Sequence, residues 1–372
     1  MTALLRILVA AAVASAPWPQ PPPAAQSLPR DPAALEQLDA TLAFLRARNA
    51  RDYAITSPNG IDEAKYVEVG GIEQWITIRG EDRNNPVVLF LHGGPGDATN
   101  PWGYAAFRLW LKRFTVVQWD QRGSGRTLAK NRAAPASAIT VNRLTDDGLE
   151  LAELLRRTLR QEKILLVGHS FGSILGVRMA KARPELFHAF VGTGQVADPP
   201  RSYTVAFDAL VKKAEALGDA RALRELREVG PPPYPRGQGY GVQRRWSNFF
   251  EGADSFIASM FGFALHAPGY SVRDVNDWLD GQMLSAEQLV PATSALTAAD
   301  LGGTFALPVF VIQGAEDFTT PTSLARSFVD SIRAPAKAFV AIEGAGHFAV
   351  FMKPAAFVDE LAARVRPLVK PR

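Results

Sequence analysis

Six short runs of almost entirely apolar residues restrict the fold of this chain more than any other feature. A strand that faces water on one side alternates apolar and polar residues, whereas a strand buried on both faces is apolar throughout. Stretches with helical periodicity separate the runs, and strands that alternate with helices are typical of a doubly wound α/β sheet. The runs are residues 87–91, 114–119, 164–167, 189–191, 309–312 and 338–342.

Two earlier segments, residues 65–69 and 74–79, alternate apolar and polar residues like exposed strands. With the buried runs they predict a mostly parallel sheet of eight strands flanked by helices. Residues 197–301 contain helical patterns and many aromatic residues but no convincing strand. We therefore expect a helical cap there. The cap divides the core into two parts, residues 31–196 and residues 302–372. The first part begins with an N-terminal helix that starts at Asp31-Pro32.

The N-terminus has the pattern of an export signal. A short apolar run precedes Ala14-Ser15-Ala16, which has the small-x-small spacing of a signal-peptidase site. We interpret residues 1–16 as a signal peptide and the proline-rich residues 17–30 as a linker. The alternative is an apolar first helix of the domain. The signal predicts an exported protein, periplasmic or secreted, and the run is too short for stable membrane insertion.

Composition excludes several classes of function. The formal net charge is only +4, and no run of Lys and Arg is interleaved with aromatic residues, so we expect no nucleic-acid partner. The chain has no cysteine, which excludes disulfides and thiol catalysis. We predict no metal and no cofactor, and the expected partner is a small-molecule or short-peptide substrate. The oligomeric state is left open.

The segment from Gly168 to Gly172 reads G-x-S-x-G and lies between a buried strand and a helix. That context is the one a nucleophile elbow requires, because a sharp strand-to-helix turn lifts the serine out of the sheet. Ser170 is therefore the predicted nucleophile. The alternative is a glycine-rich turn with a passive serine.

A serine hydroxyl needs a base, and the base needs an orienting carboxylate. His347 follows the last predicted strand, and Asp317 follows the strand before it. The order Ser170, Asp317, His347 is the order of triad members in hydrolases of this architecture. Glu316 is an alternative for the acid, and a surface-loop histidine is the alternative for His347.

Acyl transfer also needs hydrogen-bond donors for the developing oxyanion. The glycine-rich loop after the strand 87–91 exposes backbone N–H groups. We predict that the N–H groups of Gly94 and Phe171 form the oxyanion hole, with Gly93 as the alternative to Gly94.

These motifs together resemble the proline iminopeptidase family of α/β-hydrolases. The resemblance extends over about residues 65–365, and it is carried by residues 92–96 (HGGPG), 120–126 (DQRGSGR), 168–173 (GHSFGS), 314–317 (GAED) and 344–347 (GAGH). It implies an α/β-hydrolase fold and an aminopeptidase that removes an N-terminal residue, typically proline. It also implies that Asp120 and Arg122 organise the loop beside the active site. From the residues alone, they could equally form a buried or loop-bracing ion pair.

The resemblance further implies a substrate-binding segment in the cap. Residues 246–252 resemble the family's cap segment, with Glu251 as the candidate for binding the substrate amine and Trp246 and Phe250 beside it. The family has a second amine-binding acid further along, but here residues 261–266 contain no acid. An aromatic cap also fits a bulky apolar acyl group. An esterase, lactonase or amidase is thus the alternative function, and a non-catalytic binding protein on the same fold is a remote one.

Overall fold

The computed structural model describes residues 28–234 and 238–369. The predicted signal peptide, residues 1–16, lies outside the described residues, as does most of the predicted linker, residues 17–30. Those two predictions therefore remain predictions.

A single sheet of eight strands forms the centre of the described structure, in the order β1-β2-β4-β3-β5-β6-β7-β8. Strand β1 pairs antiparallel with β2, and β2 pairs antiparallel with β4. All other neighbours are parallel. The strands are β1 Ile61–Val69, β2 Ile72–Gly80, β3 Val87–Leu91, β4 Thr115–Trp119, β5 Ile164–His169, β6 Phe187–Thr193, β7 Val309–Gly314 and β8 Lys337–Ile342. The predicted eight-stranded, mostly parallel α/β sheet is confirmed.

Helices cover both faces of this sheet. They are α1 Pro32–Asp52, α2 Asn100–Ala106, α3 Gly125–Lys130, α4 Val141–Thr158, α5 Phe171–Ala182, α12 Thr322–Ser331, α13 Ala349–Met352 and α14 Pro354–Val365, with α6 to α11 inserted between β6 and β7. Every residue of β3, β4, β5 and β7 is buried, which is why these strands are apolar almost throughout.

The sequence located most of these elements but missed three short helices, α2, α3 and α13. All three follow strands at the same sheet edge as Ser170, and none is long enough to show an apolar period. Strands β1 and β2 are also longer than predicted, because their pairing continues from Ile61 opposite Gly80 to Val69 opposite Ile72.

The helices between β6 and β7 are α6 Pro199–Leu217, α7 Ala220–Val229, α8 Gln238–Glu251, α9 Ala253–Leu265, α10 Val272–Thr293 and α11 Ala298–Leu301. They do not share one core. Apolar residues of α9 and α10 belong to the large cluster that includes the sheet residues Val88 and Phe90. Helices α6 to α8, which we call the outer lobe, have a separate small apolar cluster. Within the described residues, none of the helices is both long and apolar enough to cross a membrane.

Candidate active site

Ser170 lies in a sharp turn between β5 and α5. Its backbone has φ 52° and ψ −123°, in the positive-φ region that L-residues rarely adopt. The turn closes tightly, since a Cβ on Gly172 would lie 2.1 Å from the carbonyl oxygen of Leu91 and one on Gly168 would lie 2.5 Å from the carbonyl oxygen of Gly172. Only glycine fits these two positions. Ser170 itself is half-buried, so its hydroxyl remains accessible.

His347 lies between Ser170 and Asp317. Its Nε2 is 3.0 Å from the Oγ of Ser170, and its Nδ1 is 3.0 Å from the Oδ2 of Asp317. With the ring proton on Nδ1 donated to Asp317, Nε2 is free to accept the proton of the Ser170 hydroxyl. The structure therefore brings together the three residues predicted as nucleophile, base and orienting acid.

Burial sets the protonation of His347. Exclusion of water, and to a smaller extent the positive charge of Arg244, lower the pKa of His347 to about 3. The imidazole is thus unprotonated at neutral pH, as a general base must be.

Burial raises the pKa of Asp317, but hydrogen bonds oppose this effect. The backbone N–H groups of Thr319 and Thr320 and the Thr320 hydroxyl all donate to this carboxylate. The neighbouring Glu316 instead pairs with Lys213 at 2.6 Å. The acid beside His347 is therefore Asp317 and not Glu316.

The glycine-rich loop after β3 packs directly on the elbow. A Cβ on Gly93 would lie 3.0 Å from the Cβ of Ser170, and Gly94 has φ 105°. His92 contacts the backbone of the same loop, with its Nδ1 2.9 Å from the carbonyl oxygen of Gly93. The loop and Phe171 are therefore close to Ser170, and the oxyanion-hole role of Gly94 and Phe171 stays a prediction.

Asp120 and Arg122 do not form the ion pair that was one interpretation of the sequence. Arg122 pairs with the buried Asp147, with Nε 2.8 Å from Oδ2. Asp120 is fully buried and accepts hydrogen bonds from the Asn100 side chain at 2.7 Å and from the backbone N–H of Arg126 at 2.9 Å. The donors to Asp120 are thus a neutral side chain and a backbone N–H instead of the guanidinium of Arg122. Burial raises the pKa of Asp120 to about 7.

Glu251, the candidate amine-binding residue, lies at the end of α8 with both oxygens engaged. Oε2 accepts the backbone N–H of His347 at 2.7 Å, and Oε1 accepts that of Phe318 at 2.8 Å. The residue is only 6% exposed. Burial, and then the negative charge of Asp317, raise the pKa of Glu251 to about 7. Its carboxylate thus joins the cap to the two loops that carry Asp317 and His347.

Trp246 and Phe250 lie in the outer lobe. Trp246 is buried in the lobe's apolar cluster, and its Nε1 donates to Glu225 at 3.0 Å. Phe250 is partly buried and packs against Trp246, with ring centroids 5.5 Å apart. The cluster also includes Phe318, the neighbour of Asp317. These aromatic side chains build the lobe and fix it on the Asp317 loop.

Two site residues were missed by sequence reasoning. Thr320 bonds to Asp317 and lies 3.2 Å from Nδ1 of His347. Its signal in the sequence is the Thr-Thr pair at residues 319–320, one residue beyond Asp317. Arg244 affects the pKa of His347, but nothing in the sequence shows which face of α8 meets the core.

A family model described as the alpha/beta hydrolase fold matches residues 86–354. The chain belongs to the α/β-hydrolase fold family. Within the described residues, no group of three or more His, Asp or Glu side chains is arranged to hold a metal ion.

Individual relatives agree with the predicted resemblance to proline iminopeptidases. A "Probable aminopeptidase" of Bacillus subtilis (strain 168) is 28% identical over 309 residues, which are 81% of this chain and 96% of the relative. A "Probable proline iminopeptidase" of Streptomyces coelicolor is 37% identical over 125 residues, 32% of this chain and 35% of the relative. The crystal structure of a proline iminopeptidase-related protein from Thermus thermophilus superposes with a TM-score of 0.59 at 22% identity, covering 83% of this chain and all of that one.

The family model and the solved structure confirm the α/β-hydrolase fold. The curated relatives show that the chain is proline iminopeptidase-like. They also confirm that the chain is an enzyme, so the remote alternative of a non-catalytic binding protein is set aside.

Proposed function

We propose that this enzyme is a serine hydrolase that releases N-terminal residues from short peptides, with Ser170 as nucleophile, His347 as base and Asp317 as orienting acid. One observation carries the proposal. Ser170 stands in a strained elbow with its Oγ 3.0 Å from an unprotonated imidazole nitrogen. Strained backbone of this kind costs about 1–3 kcal/mol and persists where the surrounding structure holds it, often at active sites.

The proposed reaction has two halves. The Ser170 Oγ attacks the carbonyl carbon of the substrate while its proton passes to Nε2 of His347. The tetrahedral intermediate collapses, the bond to the leaving nitrogen breaks, and His347 gives the proton to that nitrogen. Water then attacks the acyl-enzyme with His347 again as base, which frees the acid product and restores Ser170.

Two backbone N–H groups, those of Gly94 and Phe171, are proposed to hold the negative oxygen of each intermediate. Donors of this kind are worth about 3–4 kcal/mol each when aimed at the developing charge. The proposal is supported by the close packing of the glycine-rich loop on Ser170 and by the position of Phe171 at the first turn of α5.

The aminopeptidase specificity is supported by the names of the relatives, an aminopeptidase and proline iminopeptidases. An esterase acting on an apolar acyl group is the second candidate, and a specific observation favours it. Both oxygens of Glu251 already accept backbone N–H groups, so this carboxylate is less available to a substrate amine than the resemblance implies.

The experiment compares alanine and proline p-nitroanilides that have a free amine with the same anilides after N-acetylation, alongside p-nitrophenyl butyrate. An aminopeptidase cleaves the free-amine anilides and not the acetylated ones. Cleavage of the butyrate ester alone would overturn the peptidase proposal and leave the esterase. All activity is expected to disappear in Ser170→Ala, and any that persists at the wild-type rate would contradict Ser170 as nucleophile.

We also propose that the protein is exported. The support is the sequence pattern of residues 1–16 alone. Cell fractionation with N-terminal sequencing tests it: we expect a chain shortened near residue 16 outside the cytoplasm, and a full-length cytoplasmic chain would contradict export.

A further inference from the structure

Arg244 lies on the face of α8 that meets the catalytic loops. Its Nη1 donates to the hydroxyl of Thr319 at 2.6 Å, and the N–H of Thr319 in turn donates to Asp317. Glu251, which bonds to the backbone of His347, is seven residues further along the helix. Seven residues are almost two turns, so Arg244 and Glu251 share one face, about 10 Å apart along the axis.

The guanidinium of Arg244 has no carboxylate within ion-pair distance among residues 28–234 and 238–369. The adjacent Arg245 differs, because it pairs with Glu225. Arg244 is only half-buried, and its charge lowers the pKa of His347 and Asp317. Arg244 therefore stands beside the reacting groups without an ion pair in the described residues, although its charge also acts on Glu251 and Asp254. Its one side-chain hydrogen bond to a described residue is the bond from Nη1 to Thr319, so other guanidinium N–H groups can reach an anion.

Two neighbours of Arg244, Asn248 and Tyr203, add polar groups to this region. The Oδ1 of Asn248, one turn from Arg244 on the same helix face, is buried without a hydrogen-bond partner in the described part of the chain. Buried acceptors are normally satisfied, so this oxygen is open to an N–H or O–H donor from outside the described residues. Tyr203 also responds to Arg244, since the guanidinium opposes the rise that burial causes in the tyrosine's pKa.

The chemistry at His347 indicates on which side of the site the leaving group of the substrate lies. In a serine hydrolase, the histidine that takes the serine proton must pass it to the leaving atom, so the leaving group lies next to the imidazole. Arg244 is hydrogen-bonded to the turn that carries the partner of His347. In the proposed oxyanion hole, in contrast, the acyl oxygen would face the N–H groups of Gly94 and Phe171.

We propose that Arg244 binds a carboxylate on the leaving group of the substrate, with Asn248 accepting an N–H from the same substrate. The carboxylate is within one carbon of the leaving atom, as in the free C-terminus of a dipeptide. A guanidinium and a carboxylate form charge-assisted hydrogen bonds, often in pairs. The inference builds on the proposed hydrolytic site and narrows its substrates to short acids.

The test uses two matched pairs of substrates. The first is butyryloxyacetate and its neutral amide, butyryloxyacetamide, whose leaving groups differ only in the carboxylate. The second is alanyl-alanine and alanyl-alaninamide. We expect wild type to prefer the acid of each pair by about tenfold or more in kcat/KM. Arg244→Gln removes the preference, Arg244→Lys retains part of it, and Arg224→Gln, which changes an exposed arginine of α7, leaves it intact.

The two proposals fail in different ways. Cleavage of both dipeptides without preference for the acid would overturn the carboxylate site and leave the peptidase. Preference within the ester pair with no cleavage of either dipeptide would overturn the peptidase and support the carboxylate site. Because the wild-type ratio alone can overturn the inference, the test does not depend on how well Arg244→Gln folds. An unchanged ratio in a folded Arg244→Gln would overturn it as well.

Discussion

Asp317 is placed to orient His347, the proposed base of the site. Its Oδ2 contacts Nδ1 of His347, while the Thr320 hydroxyl and two backbone N–H groups keep the carboxylate in place. In Asp317→Asn, the amide N–H₂ faces Nδ1 and favours the wrong imidazole tautomer. We expect kcat to fall by up to about 10⁴-fold with KM nearly unchanged. Steady-state kinetics on p-nitrophenyl butyrate measure this.

Glu316→Gln is the matched control for that prediction. Glu316 is adjacent to Asp317 but pairs with Lys213 on the outer lobe, away from His347. The control is expected to retain kcat within about twofold, because the Glu316 carboxylate pairs with Lys213 and not with His347. Loss of an exposed ion pair changes stability by at most about 1 kcal/mol. Equal losses in the two variants would contradict the assignment of Asp317.

At the residue scale, the sequence predicted best where a short motif follows a strand. Ser170, Asp317 and His347 could be found because the ends of parallel strands meet at one sheet edge, so residues far apart in sequence become neighbours. Glu251 was found by resemblance, but its partners were not. A hydrogen bond to the backbone of His347 depends on how the cap docks, and no local pattern encodes that.

Among the helices, α8 has the most direct effect on the site, through the carboxylate of Glu251. This carboxyl ordinarily titrates near 4.5, and in the folded protein its pKa is raised to about 7. Between those values the folded protein holds a proton that the unfolded chain has released. The free energy of unfolding contributed by Glu251 therefore falls as the pH rises from about 4.5 through 7.

Glu251→Gln tests this linkage because glutamine does not titrate. We expect wild type to gain stability relative to Glu251→Gln at pH 5 and to lose that gain at pH 8, measured as the difference in Tm. A difference in Tm that is the same at both pH values would contradict the raised pKa.

The short helices are the elements that could not be predicted from the sequence. Helix α3, Gly125–Lys130, starts within the glycine-rich motif and is stabilised by contacts rather than by its own periodicity. Arg126 of this helix pairs with Asp274 of α10 and lies 3.9 Å from the ring centroid of Tyr270. Tertiary contacts of this kind decide whether a six-residue segment is helical, and they are invisible in a local window.

Across the whole molecule, the insertion between β6 and β7 has two levels of attachment. Helices α9 and α10 are part of the large apolar cluster on the sheet, whereas the outer lobe has its own small cluster. Regions with less buried apolar surface open more readily. We expect hydrogen exchange, followed by mass spectrometry, to be faster in peptides from α6 to α8 than in peptides from α9 and α10. Equal protection in both would contradict two separate levels of attachment.

This division has a consequence for recombining such enzymes. An exchange of the whole insertion would remove α9 and α10. Their apolar residues, which belong to the large cluster on the sheet, would be lost with them. A cut after Asp198 and before Glu251 would exchange only the outer lobe and keep the carboxylate that holds His347. The donor segment would then need an apolar surface for Phe318. Natural or laboratory shuffling can thus vary the outer lobe, and Arg244 with it, as a module while Ser170, Asp317 and His347 are inherited unchanged.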